Sequence, residues 1–225
     1  MHHDTDATSE NHGQASINHR TVVLDTETTG VNPDEGHRIV EIGAVELIDG
    51  IATDREFHAY INPCRSMPIE AFNVHGLSAE FLRDKPLFDA IVDDFLAFIG
   101  DSPLVIHNAA FDMRFLNAEM KRCGRPLLDE SRAIDTLAIA RQRFPGQQAN
   151  LDALCRRFGI DITHREKHGA IKDARLLAEV YLELNGGRQR KLDLKFARSS
   201  EELMERAPIG SRIAPAPILP TEEEL

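Results

Sequence analysis

The sequence contains no tryptophan, only two tyrosines and only three cysteines. Cys64, Cys123 and Cys155 are odd in number and far apart. They match neither a zinc-ligand spacing nor a disulfide framework, so reduced thiols are expected. No apolar run approaches the roughly 18–20 residues that a bilayer-crossing helix needs, so no membrane span is expected. Positive charge is scarce as well: 26 Lys and Arg stand against 37 Asp and Glu, a formal net charge of −11. A protein that grips a nucleic-acid backbone unaided usually carries a basic face. Charge alone therefore argues against a nucleic-acid ligand, unless metal ions and a partner protein supply the missing positive charge.

What is present fits an ordinary globular protein. A hydrophobic fraction of 42% in 225 residues is enough for one well-buried domain plus tails. Residues 1–20 are rich in His, Asp, Ser and Asn and hold no apolar stretch. They read as a disordered extension rather than a secretory or transit signal, and a cytoplasmic location is the expectation.

The ordered part is expected over residues 21–187. Thr21–Thr26 (TVVLDT) suits a buried strand, and Arg38–Ile48 a second. Asp49-Gly50 marks a turn into a third, which starts at Ile51 and runs towards Tyr60. Helical patterns follow around Ala79–Leu82 and Leu87–Ile99. Leu104–His107 and Ala133–Asp135 read as short strands. Ala109–Cys123 (with Asn108 as N-cap), Thr136–Phe144, Leu151–Phe158 and Ile171–Asn185 read as helices. Three strands followed by strand–helix alternation imply an α/β domain, a mixed sheet covered by helices. Beyond Gly187 Ser, Pro, Ala and Glu dominate, and residues 188–225 read as a flexible tail.

Chemistry concentrates at five positions. Asp25 and Glu27 are two apart in a strand, so both carboxylates project to one face. They repel each other unless a cation lies between them, and oxygen-rich sites suit hard divalent ions. A solvated strand end would carry the same pair. Asp112 shares its helical stripe with Phe115 and Leu116, which points a carboxylate inward; it needs a metal or a donor there, and a capping bond at the helix start is the alternative. Asp173 lies on the face of Leu176, Leu177, Val180 and Leu184, and could also complement the helix dipole. His168, five residues earlier, is expected in the preceding loop, where a neutral imidazole can take a proton from water. Four carboxylates on three elements plus one histidine fit two-metal phosphoryl chemistry.

Three ordered blocks, Leu24–Gly30 (LDTETTG), His107–Leu116 (HNAAFDMRFL) and His168–Asp173 (HGAIKD, an HxAxxD pattern), resemble the DEDDh exonucleases of the ribonuclease H-like fold. Within that family the likeness is greatest to the proofreading epsilon subunits of bacterial DNA polymerase III, and it spans residues 21–187. The resemblance implies a single domain with a five-stranded mixed sheet flanked by helices. It implies that Asp25, Glu27, Asp112 and Asp173 bind two divalent ions, Mg²⁺ or Mn²⁺, with His168 as general base. Thr28, Thr29, Gly30, Glu70 and His75, with Glu27 and Asp173, would lie against the terminal nucleotide. The implied reaction is hydrolysis of the last phosphodiester at a free 3′ end of DNA, releasing a nucleoside 5′-monophosphate. The implied partner is the catalytic alpha subunit of the polymerase, and no membrane is involved. An RNA-processing member of the same family would use identical metal chemistry, and a non-catalytic stabilising subunit is the alternative from another class. Gln189, Leu192 and Leu194 resemble the QxxLxL pattern by which bacterial replication proteins bind the sliding clamp.

Overall fold

Strand β1 (Arg20–Thr28) forms the centre of the sheet, because its β-branched run is buried on both faces. In the computed structural model, which describes residues 19–163 and 167–187, β1 pairs antiparallel with β2 (Ile39–Ile48). Strand β2 pairs antiparallel with β3 (Ile51–Tyr60). Asp49 and Gly50 both adopt positive φ (52° and 78°), the conformation that a tight two-residue hairpin requires. On its other side β1 runs parallel to β4 (Leu104–Ile106), and β4 parallel to β5 (Ala133–Asp135), giving the order β3-β2-β1-β4-β5. The expected five-stranded mixed sheet is therefore present, with β3 as its largely exposed edge.

Seven helices accompany it among the described residues: α1 (Ile69–His75), α2 (Ala79–Leu82), α3 (Phe88–Ile99), α4 (Ala109–Arg122), α5 (Thr136–Arg143), α6 (Leu151–Phe158) and α7 (Ala170–Leu184). Side-chain alternation on β1 divides them between the two faces. Val22 and Leu24 pack with Phe88, Phe95, Phe115 and Leu116 of α3 and α4. Val23 packs with Leu47, Val105, and Leu177 and Ala178 of α7 on the opposite face. Each of these fully buried large side chains contributes about 1.5–3 kcal/mol, so the two helical layers are independently anchored. No helix among the described residues is long and apolar enough to cross a membrane.

Two polar anchors fix the frame. Arg38 grips the buried carboxylate of Glu119 on α4 through Nε (2.6 Å) and Nη2 (2.8 Å), tying the start of β2 to the helix that carries Asp112. This Glu119 bond raises the Arg38 pKa against the opposing effect of burial. Arg20 donates to Glu46 (2.6 Å), to Ser102, and to the Phe98 and Ile99 carbonyls that end α3. Arg20 thus belongs to the sheet, one residue earlier than the sequence pattern suggests.

Two local details depart from expectation. Helix α1, which carries Glu70 and His75, has no bounds in the sequence pattern. It forms between Pro68 at its N-cap position and Gly76, whose positive φ (75°) lets its N–H close on Phe72 O. Asn108 stands at the N-cap of α4, yet its side chain makes no capping bond. It adopts the left-handed conformation (φ 67°), and its backbone N–H donates to Asp135 Oδ1 at 3.0 Å instead.

Candidate active site

The candidate site lies at the carboxyl end of β1, which pairs parallel with β4, the end at which open α/β sheets place their sites. Asp25 and Glu27 reach that end on the α7 face of β1. A register shift between Glu27 and Thr28, opposite Ile39–Glu41, bends the strand there. Helix α7 can approach because its first turn faces Gly43, the cross-strand partner of Asp25. A Cβ on Gly43 would lie only 2.2 Å from Ile171 N, 2.3 Å from Ala170 C and 2.4 Å from Ile171 Cα.

This close approach assembles a trio. Glu27, His168 and Asp173 each offer a ligand atom, all within 4.8 Å of one another. Glu27 and Asp173 are buried and His168 is exposed. His168 lies in the segment before α7, as its spacing suggests, with its backbone N–H donating to Val74 O at the end of α1 (3.3 Å). Its ring Nδ1 sits 3.2 Å from Asp173 Oδ2.

Asp112 arrives from the other face. It is 3% exposed, as its stripe implies, and its Oδ1 accepts a 2.6 Å hydrogen bond from Thr26 Oγ1. It is held by Thr26 of the neighbouring strand and by the backbone N–H at its own position in the first turn of α4. Burial pushes its pKa up to about 7, the nearby Asp135 charge adds to this, and the Thr26 hydroxyl opposes it. Asp112 and Asp25 are not members of the 4.8 Å trio. The carboxylate oxygens of Glu27 and Asp173 in the trio suit a hard divalent ion.

Beside the trio lies a cavity of about 420 Å³, lined by Thr28, Thr29, Gly30, Glu70 and His75 together with Glu27, Val31, His37, Val74 and Phe111. Six of the seven residues assigned to the terminal nucleotide line this one space, and Asp173 is not among its lining residues. Thr28 Oγ1 donates to Gly30 O at 2.6 Å, which holds the turn. His75 is buried, and its Nδ1 accepts from Leu77 N–H at 2.9 Å. Burial lowers its pKa, the Thr28 backbone partly offsetting the effect. Its Nε2 has no partner of hydrogen-bond geometry among the described residues. The cavity walls are mostly apolar, suited to the flat face of a base, with polar atoms at a few points.

Sequence reasoning missed Thr26, His37 and Gly43. A glycine inside the strand IVEIGAVEL is itself a signal of close backbone approach. Thr26 follows from alternation, since it must face away from Asp25 and Glu27. Nothing in the sequence marks His37. The clamp-pattern residues Gln189, Leu192 and Leu194 lie outside the described residues.

The Exonuclease family model matches residues 22–181. The chain is 53% identical over 211 residues to DNA polymerase III subunit epsilon of Rickettsia felis, covering 92% of each. It is 60% identical over 173 residues to the subunit of that name in Rickettsia conorii, covering 76% of this chain and 75% of the relative. Against the Escherichia coli subunit the figures are 48% over 189 residues, 81% and 76%. Among solved structures, Exonuclease X in complex with 5′-overhanging duplex DNA aligns with a TM-score of 0.58 at 24% identity, over 73% of this chain and 90% of that one. The zinc-bound E. coli exonuclease I–single-stranded DNA complex aligns with a TM-score of 0.66 at 17% identity, over 84% and 46%. These two establish the shared fold.

Proposed function

Because the chain belongs to the exonuclease family of the epsilon subunits, we propose that it is a 3′→5′ exodeoxyribonuclease that proofreads for DNA polymerase III. The observation that carries the reading is the trio Glu27, His168 and Asp173, whose Glu27 is also part of the wall of a nucleotide-sized cavity. Asp25, Glu27, Asp112 and Asp173 would hold two divalent ions, Mg²⁺ or Mn²⁺. When bound, such ions acidify water and neutralise charge at a phosphodiester.

The chain's own residues divide the remaining work. Asp173 accepts a hydrogen bond from His168 Nδ1–H, which turns the ring and leaves Nε2 as the basic nitrogen. Nε2 takes the proton of the attacking water, the role of general base. Thr26 holds Asp112 in place. Thr28, Thr29, Gly30, Glu70 and His75 seat the last nucleotide, and the apolar walls favour an unpaired base over one still stacked in a duplex. The product is a nucleoside 5′-monophosphate.

We assign the exonuclease domain to residues 21–187, flanked by residues 1–20 and 188–225. The acidic balance suits a subunit to which the alpha subunit of the polymerase delivers a frayed end, so that affinity is borrowed from the complex. Gln189, Leu192 and Leu194 would add a contact to the sliding clamp, and the assembly works in the cytoplasm. The test is digestion of matched single-stranded, paired and 3′-mismatched DNA with and without chelator. Mismatched ends should be trimmed faster than paired ones, since unpairing adds to the barrier. Efficient cleavage of a circular single strand would replace the exonuclease reading with an endonuclease.

A further inference from the structure

One wall of the cavity is an imidazole that the five-residue active-site pattern does not include. His37 sits ten residues beyond Glu27, just before β2, and reaches the cavity beside Thr29 and Gly30. Its ring lies directly on Gly30. A Cβ there would stand 2.3 Å from Cε1, 2.4 Å from Nδ1 and 2.6 Å from Nε2. Gly30 is therefore a glycine for space, and the space is filled by this ring.

The ring's hydrogen bonding points to one tautomer. Thr29 is fully buried, and its Oγ1 accepts the Arg38 backbone N–H at 3.0 Å. The same Oγ1 is 3.1 Å from His37 Nδ1. A hydroxyl has one proton to give, and a buried one must place it on an acceptor. Nδ1 is the acceptor at hand, so the Thr29 hydroxyl donates to it. A neutral imidazole whose Nδ1 accepts carries its proton on Nε2. The seat itself is rigid: Arg38, whose backbone orients the Thr29 hydroxyl, is clamped by its side chain to the buried Glu119.

We propose that His37 is a substrate-contacting residue whose Nε2–H donates a hydrogen bond to the 3′-terminal nucleotide in this cavity; the proposal rests on the exonuclease reading above. The Thr29-Gly30 turn would then act twice, lining the cavity and aiming His37 into it. His37 would stand beside His75, whose Nδ1 is likewise committed, as a second neutral donor on a mostly apolar wall.

The test uses the full chain, ¹⁵N-labelled at histidine, in Mg²⁺. Long-range ¹H–¹⁵N spectra should show His37 with a bare Nδ1 and a protonated Nε2, and thymidine 5′-monophosphate should shift the Nε2 signal. His37→Phe keeps a flat ring on Gly30 but has no N–H. It should weaken mononucleotide binding about five- to tenfold, the worth of one neutral hydrogen bond. KM on single-stranded DNA should rise similarly, while kcat stays within about twofold. An Nδ1-protonated tautomer, or unchanged mononucleotide affinity in a folded His37→Phe protein, would overturn the assignment of His37 alone. Failure of the unaltered protein to bind mononucleotide and to degrade DNA would overturn the exonuclease reading, and this proposal with it.

Discussion

Replacing Gly43 by alanine adds a single methyl on a strand that carries none of the proposed metal ligands, and it should nearly silence the enzyme. The added Cβ would meet Ile171 N at 2.2 Å, where ordinary contact lies at 3.4–4 Å, and the neighbours are helix backbone that cannot rotate away. The first turn of α7 must therefore retreat by about 1 Å or more to restore van der Waals distance. Asp173 lies on that turn and His168 just ahead of it, so their grouping with Glu27 within 4.8 Å opens. A misplacement of about 1 Å at reacting groups costs about 10²-fold in rate. Overpacking of this kind costs about 1–3 kcal/mol of stability, or about 2–12 °C in Tm for a domain of this size. The assay is steady-state digestion of a single-stranded oligonucleotide well below the melting transition, with Tm followed by circular dichroism. Gly169→Ala is the contrast. Gly169 adjoins His168, yet its Cβ would meet nothing closer than Glu41 Oε2 at 3.9 Å, so activity should stay near that of the unaltered protein. Full activity in Gly43→Ala, or a reversed ranking of the two variants, would refute the claim that helix approach sets the site.

Four further outcomes follow from the same geometry. Asp25→Ala and Asp173→Ala should lose activity by orders of magnitude while keeping the fold, and a chelator should do likewise, reversed by Mg²⁺ or Mn²⁺; hydrolysis retained in Asp25→Ala would remove it from the site. His168→Ala should lower kcat by about 10²–10⁴-fold with little change in KM, with partial recovery in added imidazole; an unchanged rate would exclude it as the base. Burial works to raise the Glu46 pKa, but bonds from Arg20, Thr53 and Arg55 outweigh it and leave it lowered. The stabilisation is thus present above the carboxyl's unfolded pKa and lost as pH falls through its folded value. Urea melts should therefore show Glu46→Gln destabilised by about 1–3 kcal/mol at neutral pH and by less in acid, and a constant gap across that window would contradict the argument. Gln189→Ala with Leu192→Ala should abolish clamp binding; equal affinity in the variant and the unaltered chain would leave the pattern a coincidence.

The strand alternation of Asp25 and Glu27, the inward stripe of Asp112 and the loop position of His168 were all legible, because period and spacing are local properties. The distribution of carboxylates over both faces of the sheet was not, since it depends on which layer each helix joins. The bounds of helix α1 were not legible because seven residues between Pro68 and Gly76 are too few to show a period. Asn108 was read as a side-chain cap, but a carboxylate from β5, far along the chain, takes over its backbone N–H. His37 matters only through Thr29 and Gly30, and no rule of spacing connects a ring to the space a missing methyl leaves.

The docking of α7 against β1 and β2 also determines when in its life the molecule becomes dangerous. Glu27 belongs to the first strand of the sheet, whereas His168 and Asp173 come with its last helix. Chains emerge from the ribosome amino end first, and a domain folds as a unit. A nascent chain of this single domain cannot complete the hydrolytic centre until its last helix has left the ribosome. A version truncated ahead of Ala170 lacks Asp173 and should hydrolyse no nucleic acid, so premature termination of translation leaves fragments without nuclease activity.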